Sequence, residues 1–172
     1  KSNNPGIASL SETILMGSYN DLDAISRFAK EYHVDFAIIG PEDPLNNGIV
    51  DALMKENIPS VGPTKSCAQL ETSKMFTRRL LDKYNIPGNA RFRVFSKLEG
   101  ISEFMAELDG IVLKPDGLTG GKGVMVQGDH FQTREEAIEK CRDILDEHAS
   151  VIVEEKFDGE EFSLQCLCDG TT

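Results

Sequence analysis

The residues whose types and spacing could do chemistry are concentrated between 111 and 127. There an apolar run, Ile-Val-Leu, leads into Lys-Pro-Asp-Gly-Leu-Thr-Gly-Gly-Lys-Gly and a second apolar run, Val-Met-Val, comes after it. This pattern predicts a β-hairpin whose tip is suited to phosphate. Gly117, Gly120, Gly121 and Gly123 lack a Cβ, so the backbone can take positive φ and turn several N–H groups towards one anion. Lys114 and Lys122 add point charges. The loop is not a Walker A sequence, because Gly123 rather than Ser or Thr follows Lys122, and a strand-like run comes next where a helix would be needed. For the same reason it is not a dinucleotide fingerprint, which needs a helix N-terminus for the pyrophosphate. Glycines also build ordinary flexible hairpin tips, so other residues must support the phosphate reading.

Two further segments do so. Lys74 stands at the start of a predicted helix, forty residues before Lys114, and both ammonium groups could reach one set of phosphates; a solvated helix lysine is the plainer alternative. Glu154, Glu155, Lys156 and Phe157 end a predicted strand, where backbone donors and acceptors could read an adenine edge beside an apolar side chain. The acidic turn 158–161 comes next, and Glu161 could accept hydrogen bonds from ribose hydroxyls or be merely solvated.

The elements that must position these residues fall into two series. Residues 14–16 read as a short strand, and Asp21 as the N-cap of a helix with Leu22, Ile25, Phe28 and Ala29 at helical spacing. A buried strand over 34–39, a helix over 46–56 and a strand over 58–61 complete a β-α-β-α-β alternation, which argues for part of a parallel sheet. Ligands of such sheets lie beyond the strands' carboxyl ends, and 40–44 falls there. From Gly62 onward the pattern changes. Thr64 caps a helix to residue 70, and a second helix spans 73–84 with Phe76, Leu80 and Leu81 facing inward. An extended stretch at 91–95 and a helix over 98–108 lead into the hairpin. Thr133 caps a helix with Ala137, Ile138, Cys141, Ile144 and Leu145 on one face, and strands over 151–155 and 162–167 come after it. The expected fold class is thus α/β plus α+β: a partial parallel-sheet domain over 1–62, then a domain with an antiparallel sheet over 63–172. Both ends read as cut, the first without a credible opening strand and the last at a turn, Asp-Gly-Thr-Thr, lacking its return strand.

Composition excludes several classes. The 172 residues carry 18 basic and 29 acidic side chains, a net charge of −11, so a nonspecific nucleic-acid binder is not expected. No apolar run approaches the roughly 18 residues needed to span a bilayer, and no signal pattern opens the chain, which predicts a soluble cytoplasmic protein without membrane partners. Cys67, Cys141, Cys166 and Cys168 have no zinc-type spacing, and His33, His130 and His148 are dispersed, so neither a metal cluster nor a nucleophilic triad is expected.

Lys74, the 114–124 loop and 154–161 together resemble the ATP-grasp family in order and spacing. With Gly-Pro-Glu-Asp-Pro-Leu at 40–45, Gly-Ile-Val-Asp-Ala-Leu at 48–53, Gly-Pro-Thr-Lys at 62–65 and Gln-Leu-Glu-Thr-Ser-Lys at 69–74, the resemblance narrows to the phosphoribosylamine–glycine ligase (glycinamide ribonucleotide synthetase) family and covers nearly the whole chain. It implies ATP and Mg²⁺ (or Mn²⁺) as cofactors, and glycine and 5-phosphoribosylamine as substrates. By the same resemblance, Lys74, Lys114, Gly120, Gly121, Lys122 and Gly123 hold ATP phosphates. Glu154, Glu155 and Phe157 match the adenine hinge and Glu161 the ribose acid. Pro41, Glu42 and Asp43 help hold phosphoribosylamine, while Lys114 and Asp116 stand at the reacting centre. In the family the glycine carboxylate attacks the γ-phosphate of ATP, and the amine then displaces phosphate from glycyl phosphate. The family's amino-terminal glycine-rich turn would precede Lys1, and its metal-binding and glycine-binding residues would follow Thr172, so the 172 residues alone are expected to bind nucleotide at best. Pro115 and Thr119 stand where relatives commonly carry alanine. The alternatives are another ATP-grasp ligase, such as a carboxylase or a carbamoyl-phosphate enzyme, and a noncatalytic nucleotide-binding module.

Overall fold

The structure, a computed structural model, describes residues 4–118, 123–160, 162–164 and 166–168. The chain divides into two compact units, one formed by 1–89 with 116–122 and the other by 90–115 with 123–172.

In the first unit, α1 (Pro5–Leu10) is capped by Asn4, whose side chain accepts from the N–H groups of Gly6 and Ile7. Residues 14–16 form no strand; Ile14, Leu15 and Met16 are exposed, and no strand among the described residues offers them a ladder to join. Asp21 caps α2 (Leu22–Glu31) by accepting from Ala24 N–H, as its position predicts. β1 (Ala37–Ile38) is shorter than expected and pairs in parallel with β2 (Ser60–Val61), Ala37 opposite Ser60. Between them the helix expected over 46–56 is two helices, α3 (Glu42–Asn47) and α4 (Ile49–Lys55). Gly48 causes the break. At φ 91° it ends α3 in the left-handed conformation, and its N–H donates to Leu45 O. Ala29, Ile49, Val50, Leu53 and Ile58 form the core of this layer. Thr64 then caps α5 (Lys65–Thr72) and Ser73 caps α6 (Lys74–Lys83). No residue of α6 is fully buried, so Phe76, Leu80 and Leu81 are half-buried rather than core.

In the second unit, β3 (Phe92–Phe95) is followed by α7 (Ile101–Ala106), shorter than the 98–108 expected because Gly100, at φ 81°, is its left-handed N-cap. β4 (Ile111–Pro115) and β5 (Met125–Val126) form the expected antiparallel hairpin, with Val112 opposite Val126 and Leu113 opposite Met125. α8 (Arg134–Glu147) opens with a capping box in which Thr133 and Glu136 satisfy each other's backbone N–H groups. β6 (Val151–Glu155) lies between β3 and β4, antiparallel to both, giving the order β3-β6-β4-β5. Alternate residues Ile111, Leu113, Val151 and Val153 turn to one face and pack with Ile101, Phe104 and Met105 of α7 and Ala137, Cys141 and Ile144 of α8. The Cys141 thiol is pushed up to about 12 by that burial. The strand expected over 162–167 is not formed by the described residues 162–164, 166 and 167; Phe162, Leu164 and Leu167 are exposed, and both edges of β6 are already taken by β3 and β4.

The predicted fold class therefore holds: a small parallel sheet with covering helices precedes an antiparallel sheet backed by helices.

Candidate nucleotide and substrate site

The candidate site residues of the first unit occupy two places. At the carboxyl end of β1, a cleft of about 270 Å³ is lined by Leu15, Tyr19, Phe28, Ile39, Pro41 and Pro44, among others. Next to it, Gly17, Ser18, Tyr19, Asn20 and Asp43 surround a second, more polar hollow. The cleft arises because β1 stops short of Gly40 and hands the chain to α3, whose N-cap is Pro41 and whose first turn carries Glu42 and Asp43. Pro44 sits where a helix has no intrahelical N–H bond to lose, so it is compatible with this start. Of the three expected substrate residues, Pro41 and Asp43 line these hollows and Glu42 is exposed on α3. The side chains of Asn47 and Asn20 are hydrogen-bonded and tie α3 to the loop at the rim.

The second place is the start of α6. Ser73 Oγ accepts from Phe76 N–H at 3.1 Å, the ordinary N-cap bond. It also lies 3.1 Å and 3.2 Å from the two carboxylate oxygens of Asp116, to which its hydroxyl donates. Met75 N–H donates to Asp116 Oδ1 at 3.0 Å. Lys74 Nζ donates to Gly117 O at 2.6 Å. An N-terminal serine and a carboxylate from 43 residues away thus share the orphan donors of one helix end, the place where negative charge is favoured. Gly117, at φ 92°, takes the left-handed turn that puts its carbonyl beside Lys74.

In the second unit, Lys114 and Glu154 lie on the sheet face opposite the apolar core. Glu154 faces Val112 and Lys114 faces Ile152, so the two charges are diagonal neighbours across the β4–β6 ladder, where they form an ion pair. Glu154 is 2% exposed and the Lys114 side chain 22%. Backbone bonds also hold the end of β6 in place. Glu155 N–H donates to Arg91 O and Lys156 N–H to Gly110 O, while Glu155 Oε2 accepts from Arg91 N–H at 3.3 Å. A Cβ at Gly110 would come within 2.9 Å of Lys156 Cβ, so only glycine lets the two backbones approach there. The Phe157 ring is 62% exposed, and its N–H donates to no group among the described residues.

The expected site residues are thus gathered in part. Lys74 and Asp116 meet at α6, Lys114 and Glu154 meet on the sheet, and Glu155 and Phe157 continue from Glu154. Gly123 has φ 91° at the foot of β5. Gly120, Gly121, Lys122 and Glu161 lie outside the described residues. Reading the sequence missed the bond from Ser73 to Asp116 and the contacts of Arg91; Ser73 was placed as the first residue of the helix rather than its N-cap, and no local pattern announces a partner 43 residues away. Among the described residues, no three of His, Cys, Asp and Glu converge as metal ligands. The described helices include none long and apolar enough to cross a membrane.

Comparison with known proteins covers the chain from residue 1 to residue 172. Residues 1–71 match the family described as phosphoribosylglycinamide synthetase, N domain, and residues 72–172 match phosphoribosylglycinamide synthetase, ATP-grasp (A) domain. Phosphoribosylamine–glycine ligase of Methanobrevibacter smithii is 42% identical over 98% of this chain and 39% of its own length. The chain thus spans about two fifths of the curated relatives it matches. The crystal structure of phosphoribosylamine–glycine ligase from Thermotoga maritima aligns with a TM-score of 0.55 at 29% identity, covering 73% of this chain and 30% of that one. The ADP complex of N5-carboxyaminoimidazole ribonucleotide synthetase aligns over 91% of this chain and 39% of that one, with a TM-score of 0.66 at 21% identity, which speaks for the fold alone. Two adjoining family models that together account for every residue, and a relative alike along nearly the whole chain, place this protein in the phosphoribosylglycinamide synthetase family.

Proposed function

We propose that the chain supplies the nucleotide-binding and phosphoribosylamine-holding parts of an ATP-dependent carbon–nitrogen ligase that joins glycine to 5-phosphoribosylamine, a step of purine biosynthesis in the cytoplasm. The observation that carries the reading is the placement of Lys114. Its ammonium is fixed on β4, one strand from the end of β6, beyond which Phe157 presents to an adenine an exposed ring and an N–H that donates to no group among the described residues. Lys74, Lys114 and the glycine-rich turn with Gly120, Gly121, Lys122 and Gly123 take the phosphates. Glu154, Glu155 and Phe157 form the adenine hinge, with Glu161 on the ribose. Pro41, Glu42 and Asp43, at the cleft beyond β1, take phosphoribosylamine. In domain terms, 1–62 belongs to the substrate part and 63–172 to the ATP-grasp part, with the lid at about 88–160.

The reaction follows from these roles. A glycine carboxylate oxygen attacks the γ-phosphorus, the bond to the bridging oxygen breaks, and ADP leaves with that electron pair. The phosphoribosylamine nitrogen then attacks the acyl carbon, phosphate departs, and the nitrogen loses a proton. Bringing anions together is the obstacle, so the lysines and backbone N–H groups act by neutralising and orienting, and no protein nucleophile takes part. An acyl phosphate hydrolyses readily, which requires water to be kept out between the two steps. A Mg²⁺ or Mn²⁺ ion accompanying the nucleotide would add charge neutralisation; the described residues offer no donor set for it, and none of these steps is assigned to a metal held here.

Calorimetric titration of the 172-residue chain with a nonhydrolysable ATP analogue and Mg²⁺ tests the reading, beside the double variant Lys114→Ala, Lys122→Ala. Binding by the chain that the double variant loses is the expected result. No binding by a folded chain would remove the nucleotide site from this part of the protein. In a coupled ADP-release assay with glycine and phosphoribosylamine, the 172 residues alone are expected to show no turnover.

A further inference from the structure

We propose that Ser73 and Asp116 are positioning residues for Lys74, acting as a two-point latch that sets the ammonium for the nucleotide phosphates; the proposal rests on the reading of Lys74 as a phosphate ligand. Three observations carry it. The Asp116 carboxylate accepts from both Ser73 Oγ–H and Met75 N–H, so residues on either side of Lys74 are bound to one group. Asp116 is followed directly by Gly117, whose carbonyl accepts from Lys74 Nζ, so the carboxylate that grips the backbone around Lys74 also fixes the acceptor for its side chain. Gly117 holds a left-handed φ of 92°, which ties the direction of that carbonyl to the position of Asp116.

The chemistry that results is specific. A lysine ammonium has three N–H donors, and one spent on Gly117 O leaves two directed donors for an anion. A long, flexible side chain otherwise samples many rotamers before it meets a phosphate, and a fixed acceptor beside Nζ removes that loss from the binding step. Asp116 is thereby engaged through both oxygens in a structural bond network, and its effect on nucleotide runs through Lys74 rather than through contact of its own.

The test is a double-mutant cycle in the full-length protein, read by calorimetric binding of a nonhydrolysable ATP analogue with Mg²⁺ and by steady-state kinetics. Asp116→Asn and Ser73→Ala are each expected to weaken analogue binding about tenfold in the presence of Lys74, and by less than about twofold in the Lys74→Ala background. Ser73→Thr, which keeps the hydroxyl, restores the affinity. The KM for ATP rises while the KM for glycine stays unchanged, a split that general loosening of the fold would not give. Equal weakening in both backgrounds, or none in either, overturns the latch. Should Asp116→Asn fail to fold, Ser73→Ala carries the cycle alone, since it removes one hydroxyl and leaves the carboxylate in place. If Lys74→Ala itself binds the analogue like the wild type, the phosphate role of Lys74 is what fails; if Lys74→Ala binds poorly while the Ser73 and Asp116 variants are unaffected, only the latch fails.

Discussion

Lys114, a proposed phosphate ligand, also balances a buried carboxylate. Its partner Glu154 is a carboxylate almost wholly removed from water, a state that is costly unless a counter-charge stays in place. Lys114→Ala takes the ammonium away from that buried carboxylate, so urea unfolding should show a loss of about 3 kcal/mol. Lys97→Ala provides the contrast. Lys97 and Glu99 are both 72% exposed and 3.8 Å apart, and their separation should cost under about 0.5 kcal/mol. If the two variants unfold alike, the β4–β6 pair is not a structural element. A nucleotide-binding defect in Lys114→Ala must therefore be read without urea, at a temperature where the variant is folded. At this scale the sequence displays the residue types but not their engagements. Lys74 and Lys114 read as cations available for phosphate, and the glycines as loop makers, because type and local spacing carry that information. The acceptors that hold the two lysines, Gly117 O and Glu154, come from 43 and 40 residues away, and a pairing of that separation depends on which strands and helices meet.

At the scale of elements, local chemistry was legible where a cap marks it. Asp21, Thr64 and Thr133 all cap helices as their positions predict, since an N-cap is a bond within three residues. Boundaries set by a glycine's φ were not legible. Gly48 and Gly100 look like tolerated helix residues until a left-handed conformation ends or starts the helix there. The capping box of α8 gives a prediction with a sign. The Glu136 carboxyl is held below the usual 4.5 because it accepts from the N–H groups of Gln132 and Thr133. A folded value below the unfolded one means that the carboxylate's contribution is present above 4.5 and disappears as the pH falls through the folded value. The stability difference between the wild type and Glu136→Gln should therefore be largest near neutral pH and shrink on acidification below 4.5. Thr133→Ala removes the other half of the box and should cost about 1 kcal/mol, since it leaves the Glu136 N–H without its cap. Thermal melts at about pH 7 and about pH 3 decide both; a Glu136→Gln difference that grows at low pH contradicts the assignment.

The scale of the whole chain separates what periodicity can reveal from what it cannot. Alternating helix and strand patterns announce a parallel sheet before residue 62, and the hairpin of β4 and β5 is visible because its strands are neighbours in sequence. The order β3-β6-β4-β5 is not, because β6 pairs on one side with residues near 93 and on the other with residues near 113. Compactness divides the chain after Asn89 and groups 116–122 with the first unit, a division of a different kind from the change of pattern near residue 62. Each unit has its own apolar core, and that gives the last prediction. Leu53, 1% exposed on α4, is packed in the core with Ala29, Ile49, Val50 and Ile58. Leu113, fully buried at the middle of β4, is packed in the core that includes residues of α7 and α8. Truncation of either to alanine removes buried methyl groups and leaves a cavity, at a cost of about 2–5 kcal/mol. Because the two cores share no residue, the loss should be read locally in amide hydrogen exchange. Leu53→Ala should lower protection in α2 and α4, and Leu113→Ala in β4 and β6. Uniform loss of protection along the chain from either variant would show that the two cores unfold as one cooperative body, and the division after Asn89 would then describe geometry without energetic consequence.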